Sequence, residues 1–154
     1  MRVMLREPLS SSDARAAILS SHEELRGLVS ETMEVAAGTA GKERDVEPLR
    51  TRARGLYAAF AEHMDMEERI LPTALRDVIG LGAALRALME EGHERQRAAL
   101  ASAVSALEPD ELPAMRLIES VRAFADSILV DLKSEERYLL TADLDALTID
   151  SHGG

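Results

Sequence analysis

Residues 49–72 read LRTRARGLYAAFAEHMDMEERILP. Within this stretch Leu49, Ala53, Leu56, Phe60, His63, Glu67 and Ile70 follow one another at steps of 4, 3, 4, 3, 4 and 3. That spacing places them on one stripe of an amphipathic helix, the stripe that faces the interior of a helical bundle. Two of the seven are ionisable, and they stand in the middle of the stripe. Residues 117–138 repeat the steps with Leu117, Val121, Phe124, Ile128, Asp131, Glu135 and Tyr138, so that Asp131 and Glu135 take the places of His63 and Glu67. Two further stripes run through Ile18, His22, Leu25, Val29 and Thr32, and through Leu85, Met89, His93, Gln96 and Leu100.

Four helices therefore carry the chain. The first is expected from an N-cap at Ser12-Asp13 to about Ala37, with Gly38 and Gly41 breaking it. The second runs from about Asp45 to Leu71, with Pro48 in its first turn and Pro72 ending or kinking it. The third spans Ala83 to Leu107, and the fourth starts behind Glu108-Pro109-Asp110 and Pro113 and ends near Leu140. No segment alternates as a half-buried strand does. Short connections favour antiparallel neighbours, so the expected fold is an all-α, up-down-up-down four-helix bundle over 13–140. An N-terminal arm, 1–12, precedes it. A loose C-terminal tail with one short helical turn, 141–154, follows it.

Composition narrows the function. The chain has 154 residues, the size of one domain. Its 18 basic and 28 acidic side chains leave a net charge of -10, which disfavours nucleic acid and anionic membrane surfaces as partners. No cysteine is present, which excludes disulfides, thiolate metal sites and cysteine nucleophiles. Arg6 and Glu7 interrupt the first apolar run, and the longest uncharged stretch, Ala98 to Leu107, is 10 residues. Neither a secretory signal nor a membrane span is expected, and a cytoplasmic protein is the default.

A single histidine on an apolar stripe is commonly a hydrogen-bonded core residue. The height of these residues along the bundle argues otherwise. The midpoint of His22 and His63 is 42.5, beside the first turn; that of His63 and His93 is 78, in the second; that of His93 and Asp131 is 112, in the third. Three independent turns thus bring His22, His63, His93 and Asp131 to one level, with Glu67 and Glu135 one turn away. Unpaired, such a group would cost several kcal/mol per charge in desolvation, and a bound cation removes that cost. Imidazoles and carboxylates without thiolate suit iron, with manganese or zinc as lesser options. The expected metal ligands are His22, His63, Glu67, His93, Asp131 and Glu135. At the ordinary imidazole pKa of about 6.5, metal retention would weaken below about pH 6.

The same residues resemble a known pattern. SSHEELRGL around His22, HMDMEERILP from His63, EEGHERQ around His93 and DLKSEERYLL from Asp131 are similar to the hemerythrin-like (HHE cation-binding) family. That family places one His on the first helix, His-x-x-x-Glu on the second, one His on the third and His-x-x-x-Glu on the fourth. His63 to Asp131 and Glu67 to Glu135 are both 68 residues apart, an internal repeat in which Glu-Glu-Arg recurs. The resemblance covers about 14–140 and implies a non-haem di-iron centre, oxo- or hydroxo-bridged, that meets dioxygen, peroxide or nitric oxide. Asp131 departs from the pattern, which has His there. The ferritin-type Glu-x-x-His pair does not occur.

Three function classes stay open on the sequence: a di-iron protein that binds or reacts with a small oxidant, an enzyme or iron-handling protein that oxidises Fe(II) or destroys peroxide, and a degenerate metal-free bundle used for protein interaction. Glu68 and Glu136 read as solvated or as outer partners of the ligands. Tyr138 and Gln96 read as packing residues near the site, and His152 as remote from it. In the tail, LTIDS distantly resembles the short peptides that send cargo into encapsulin shells.

Overall fold

The computed structural model describes residues 9–40, 45–78, 82–109 and 112–152, the side chains of Ala40 and of 141–152 excepted. It contains four helices, α1 (Ser11–Ala40), α2 (Glu47–Ala74), α3 (Gly82–Ser105) and α4 (Ala114–His152), and no strand among the described residues. The expected all-α class is observed. Helix α1 packs on α2 and α4, and α3 closes the ring between α2 and α4, with α1 and α2 the most extensively joined pair. Direction follows from the contacts at the ends. Arg15, in the first turns of α1, donates to Ala74 O at 2.8 Å and to Asp77 at 2.7 Å, beyond the end of α2. At the opposite end Arg50, in the first turn of α2, donates to Pro109 O at 3.1 Å, in the turn before α4. Neighbours therefore run antiparallel, up-down-up-down.

Helix boundaries differ from expectation where local chemistry is stronger than a breaker. The cap of α1 is Ser10, whose Oγ accepts from Asp13 N at 3.0 Å. Gly38 does not stop α1, since a helical glycine costs only about 1 kcal/mol against alanine and Thr39 Oγ1 bonds back to Val35 O at 2.8 Å. Pro48 sits in the first turn of α2, where a missing N–H costs nothing, and Pro72 lies inside its last turn. The largest departure is at the C-terminus, where the backbone of α4 continues as helix to His152 instead of loosening after Leu140. The side chains of that segment, including LTIDS and His152, lie outside the described residues, as does most of the 1–12 arm.

The core divides into parts. The largest cluster gathers Leu25, Val29, Leu56, Phe60, Val121 and Ile128 with their neighbours toward one end of the bundle. Two smaller clusters occupy the other end, one around Leu71, Leu85 and Met89, the second around Ile18, Ala74 and Leu139. Between them lies a layer of buried polar side chains: His22, His63, Glu67, His93 and Glu135. Phe60 is 1% exposed, and its truncation to alanine is the type of change that costs about 3–5 kcal/mol. Among the described residues no helix is long and apolar enough to cross a membrane.

Candidate metal centre

All four helices contribute to the polar layer. His22 comes from α1, His63 and Glu67 from successive turns of α2, His93 from α3 and Glu135 from α4. His63 and Glu67 share a face because residues four apart on a helix do. Glu67 Oε1 lies 2.9 Å from His22 Nε2 and 2.5 Å from His63 Nε2, while its Oε2 lies 2.8 Å from His93 Nε2. Glu135 repeats the division: Oε2 is 3.1 Å from His22 Nε2 and 3.9 Å from His63 Nε2, and Oε1 is 3.2 Å from His93 Nε2. Each carboxylate thus spans two ends of one cradle. One end is faced by two imidazoles and the other by one.

The three rings share an orientation, Nε2 inward and Nδ1 outward. Outside, His22 Nδ1 meets Glu136 Oε2 at 3.1 Å, His63 Nδ1 meets Ser21 Oγ at 2.6 Å, and His93 Nδ1 faces Glu68 Oε1 at 3.5 Å. Outer partners of this sort fix an imidazole's tautomer and aim its other nitrogen. Sequence reasoning misses Ser21 and gives Glu68 and Glu136 two alternatives; the structure places both carboxylates behind the histidines. The i,i+4 spacing of Arg26 behind His22 and of Arg97 behind His93 is an available signal. Arg26 holds Glu136 at 2.7 Å and Arg97 holds Glu68 at 2.9 Å.

Asp131 stands apart. It is half-buried, whereas the adjacent Leu132 is fully buried. A strict seven-residue repeat drifts by about 20° per heptad on a straight helix, and by the fifth position of the α4 stripe that drift has turned Leu132 inward in its place. Burial and the charge of Glu135 raise the Asp131 pKa above the usual carboxylate value, while Arg95, the Gln96 amide and His93 pull the other way. The structure therefore brings five of the six expected ligands into contact and leaves Asp131 at the margin, beside the one-imidazole end. Gln96 borders that end too, with Oε1 buried and unpartnered.

The cluster has two ways of balancing its charge. Without a cation its members pair with one another. Burial works against the imidazolium of His22, yet hydrogen bonds to Glu135 and Glu67 outweigh it and push the pKa up to about 10. His93 is pushed up to about 10 by the same opposition, and His63 is raised in the same way. Burial alone would raise Glu135, but the three imidazoles facing it, two of them hydrogen-bonded to it, hold it well below the usual carboxylate range. The desolvation cost expected from the sequence is thus met internally. Yet the fit to a cation is good. His22, His63, Glu67 and Glu135 each offer a ligand atom within 4.8 Å of the others. His63 Nε2 is buried and makes no aligned hydrogen bond despite its 2.5 Å approach to Glu67.

No family model, curated protein or solved structure matches this chain.

Proposed function

We propose that this chain is a hemerythrin-like, non-haem di-iron protein that binds or reacts with a small oxidant: dioxygen, peroxide or nitric oxide. The observation that carries the reading is the common orientation of the three imidazoles. Three rings on three helices turn Nε2 toward the same two carboxylates and keep Nδ1 outside on separate partners, the arrangement that ligation of a shared centre requires; ion pairing also draws the rings to these carboxylates but requires no particular nitrogen. His22, His63, Glu67 and Glu135 would hold one iron, and His93 with the far oxygens of Glu67 and Glu135 the other, with Asp131 beside that end. The same donors would also accept manganese or zinc; the resemblance to the hemerythrin-like pattern is what favours iron. Iron would supply the redox chemistry that no side chain here provides.

Access favours a small ligand. The five converging residues are each no more than 5% exposed. A groove of about 540 Å³ between α1 and α2 reaches Ser21 and the outer edge of His63. Burial of this order suits a diatomic molecule or peroxide better than a bulky organic substrate. A cytoplasmic setting belongs to this proposal. So does the iron-oxidising alternative, which needs the same centre and differs in turnover.

One observation favours a second reading, a metal-free bundle in which the layer is a self-paired polar network: the buried groups satisfy most of one another's charge. Anaerobic loading with Fe(II), followed by metal analysis and an optical spectrum before and after exposure to air, separates the two. Di-iron chemistry predicts stoichiometric metal and a near-ultraviolet band that grows on oxidation. Substoichiometric metal after loading would sink it.

A further inference from the structure

Each Glu-Glu doublet is split by the helix into an inner and an outer residue. Glu67 and Glu135 point into the cradle, while Glu68 and Glu136 reach sideways to the histidine of the neighbouring helix. Behind each outer glutamate stands an arginine four residues after that histidine, Arg97 on α3 and Arg26 on α1. The arrangement occurs twice, but unequally. Glu136 accepts from His22 Nδ1 at 3.1 Å and has both oxygens held by Arg26, at 2.5 and 2.7 Å. Glu68 lies 3.5 Å from His93 Nδ1, which has no hydrogen-bond partner, and Glu68 is the more exposed, 42% against 26% for Glu136.

We propose that Glu136 and Glu68 are positioning residues for the imidazoles of His22 and His93, and that the firmer hold on His22 makes the His22–His63 end of the cradle the one a divalent cation fills first. The inference rests on the metal-binding reading and adds an order to it. Two imidazoles face this end against one at the other, and both are locked from outside, His22 by Glu136 and His63 by Ser21. A locked ring loses little freedom on binding, and a hydrogen bond from Nδ1–H to a carboxylate makes Nε2 a stronger donor. His93 has the longer, unaligned contact and gains less of both.

Zn(II), redox-inert and diamagnetic, is the probe. Titration of the full chain against a chromophoric chelator should resolve two steps. Glu136→Leu, which removes the acceptor, should weaken the first step by about 10–100-fold, the usual cost of losing an outer-shell partner, and leave the second little changed. Glu136→Gln, which keeps a carbonyl acceptor without the charge, should fall between Glu136→Leu and the wild type; a purely structural role for the charge would make the two variants equal. Glu68→Leu should touch only the second step, and by less. In proton–nitrogen spectra of the Zn(II)-loaded protein, the His22 Nδ1–H should be slow to exchange with solvent, and Glu136→Leu should speed it. Arg26→Met, which leaves Glu136 in place but loosens it, should act in the same direction and more weakly, even where Glu136→Leu fails to fold. An unchanged first step in these variants, a larger loss from Glu68→Leu, or two equal steps in the wild type would overturn the proposal. A wild-type chain that takes up no Zn(II) and no Fe(II) overturns the metal reading itself.

Discussion

The half of the bundle formed by α1 and α2 and the half formed by α3 and α4 follow one plan and differ at one pair of positions. His22 and Arg26 recur 71 residues later as His93 and Arg97, and Glu67 and Glu68 recur 68 residues later as Glu135 and Glu136. Ser21 and His63, bonded at 2.6 Å in the first half, are replaced at the same intervals by Gly92 and Asp131. The second half thus lacks both an imidazole and the hydroxyl that would orient it. What survives in both halves is instructive. The inner glutamates serve both ends of the cradle at once, so losing either would damage the whole ring. An imidazole serves one end only, and its loss leaves the other intact.

The largest effect should come from breaking the better-furnished half. Metal bound only by the native state adds RT ln(1 + [L]/Kd), about 2.7 kcal/mol at 100-fold excess over Kd. For a domain of this size that is about 5–10 °C in melting temperature. Chelation should lower the wild-type transition by about this amount, and His63→Ala or Glu67→Ala should abolish the difference between loaded and chelated protein. Asp131→Ala should preserve most of it. Calorimetry of the three variants, each loaded and chelated, would show the halves to be equivalent if Asp131→Ala matched His63→Ala.

Proton competition gives the next effect, and the raised imidazole pKa values move it upward from the range expected of ordinary histidines. In the metal-free chain the stability contributed by His22 and His93 is fully present below their unfolded value near 6.5 and is lost as pH rises toward about 10. Glu135, held low, contributes above its unfolded value near 4.5 and loses that contribution as pH falls through its depressed one. Metal binding requires neutral imidazoles, so its stabilisation grows as those protons leave. Between about pH 6.5 and 10 the metal-free and loaded proteins should therefore diverge, the first weakening and the gap widening. Parallel melting curves across that range would mean that these histidines do not take up the metal.

Much of the ring is legible because antiparallel helices turn sequence distance into height. Midpoints at 42.5, 78 and 112 are fixed by residue number alone and need only fall within the turns, a condition that errors of a few residues at the helix ends leave intact. Azimuth is harder to read. The stripe through Ile128, Asp131 and Glu135 obeys the heptad steps, yet straight-helix drift turns Leu132 inward and Asp131 toward the rim. Outer partners are harder still, since Glu136 touches His22 across 114 residues, and nothing in the periodicity of one helix says which face of another it meets. The continuation of α4 to His152 escapes the sequence reading because acidic residues and a terminal Gly-Gly look like a tail, while no proline or internal glycine after Leu140 stops a helix already under way.

The smallest and most specific effect should come from making the halves alike. A Cβ at position 92 would meet only Arg95 Nη2 at 3.9 Å and Gln96 Nε2 at 4.0 Å, ordinary van der Waals distances, so the Cβ of Gly92→Ser is accommodated and its hydroxyl approaches only the ends of two flexible side chains. Replacing a helical glycine should also stabilise α3 by about 0.5 kcal/mol. Asp131→His removes a carboxylate that burial and Glu135 disfavour in its charged form, which offsets the loss of its interactions with Arg95, Gln96 and His93, so the metal-free protein should lose little by it. The longer imidazole can reach toward the His93 end, and a hydroxyl introduced at position 92 would stand to it as Ser21 stands to His63. Asp131→His alone should tighten the second Zn(II) step modestly; adding Gly92→Ser should bring the gain to about tenfold, the low end of what an outer partner contributes. With iron bound, one negative charge fewer near the centre favours the less highly charged reduced state and should raise the reduction potential. The double variant should exceed the sum of the singles, because each change lacks its partner without the other. Additive effects would show that a hydroxyl at position 92 does not orient residue 131; no effect on either the second affinity or the potential would show that position 131 lies outside the centre, and that the second half holds its metal through His93 and the two shared glutamates alone.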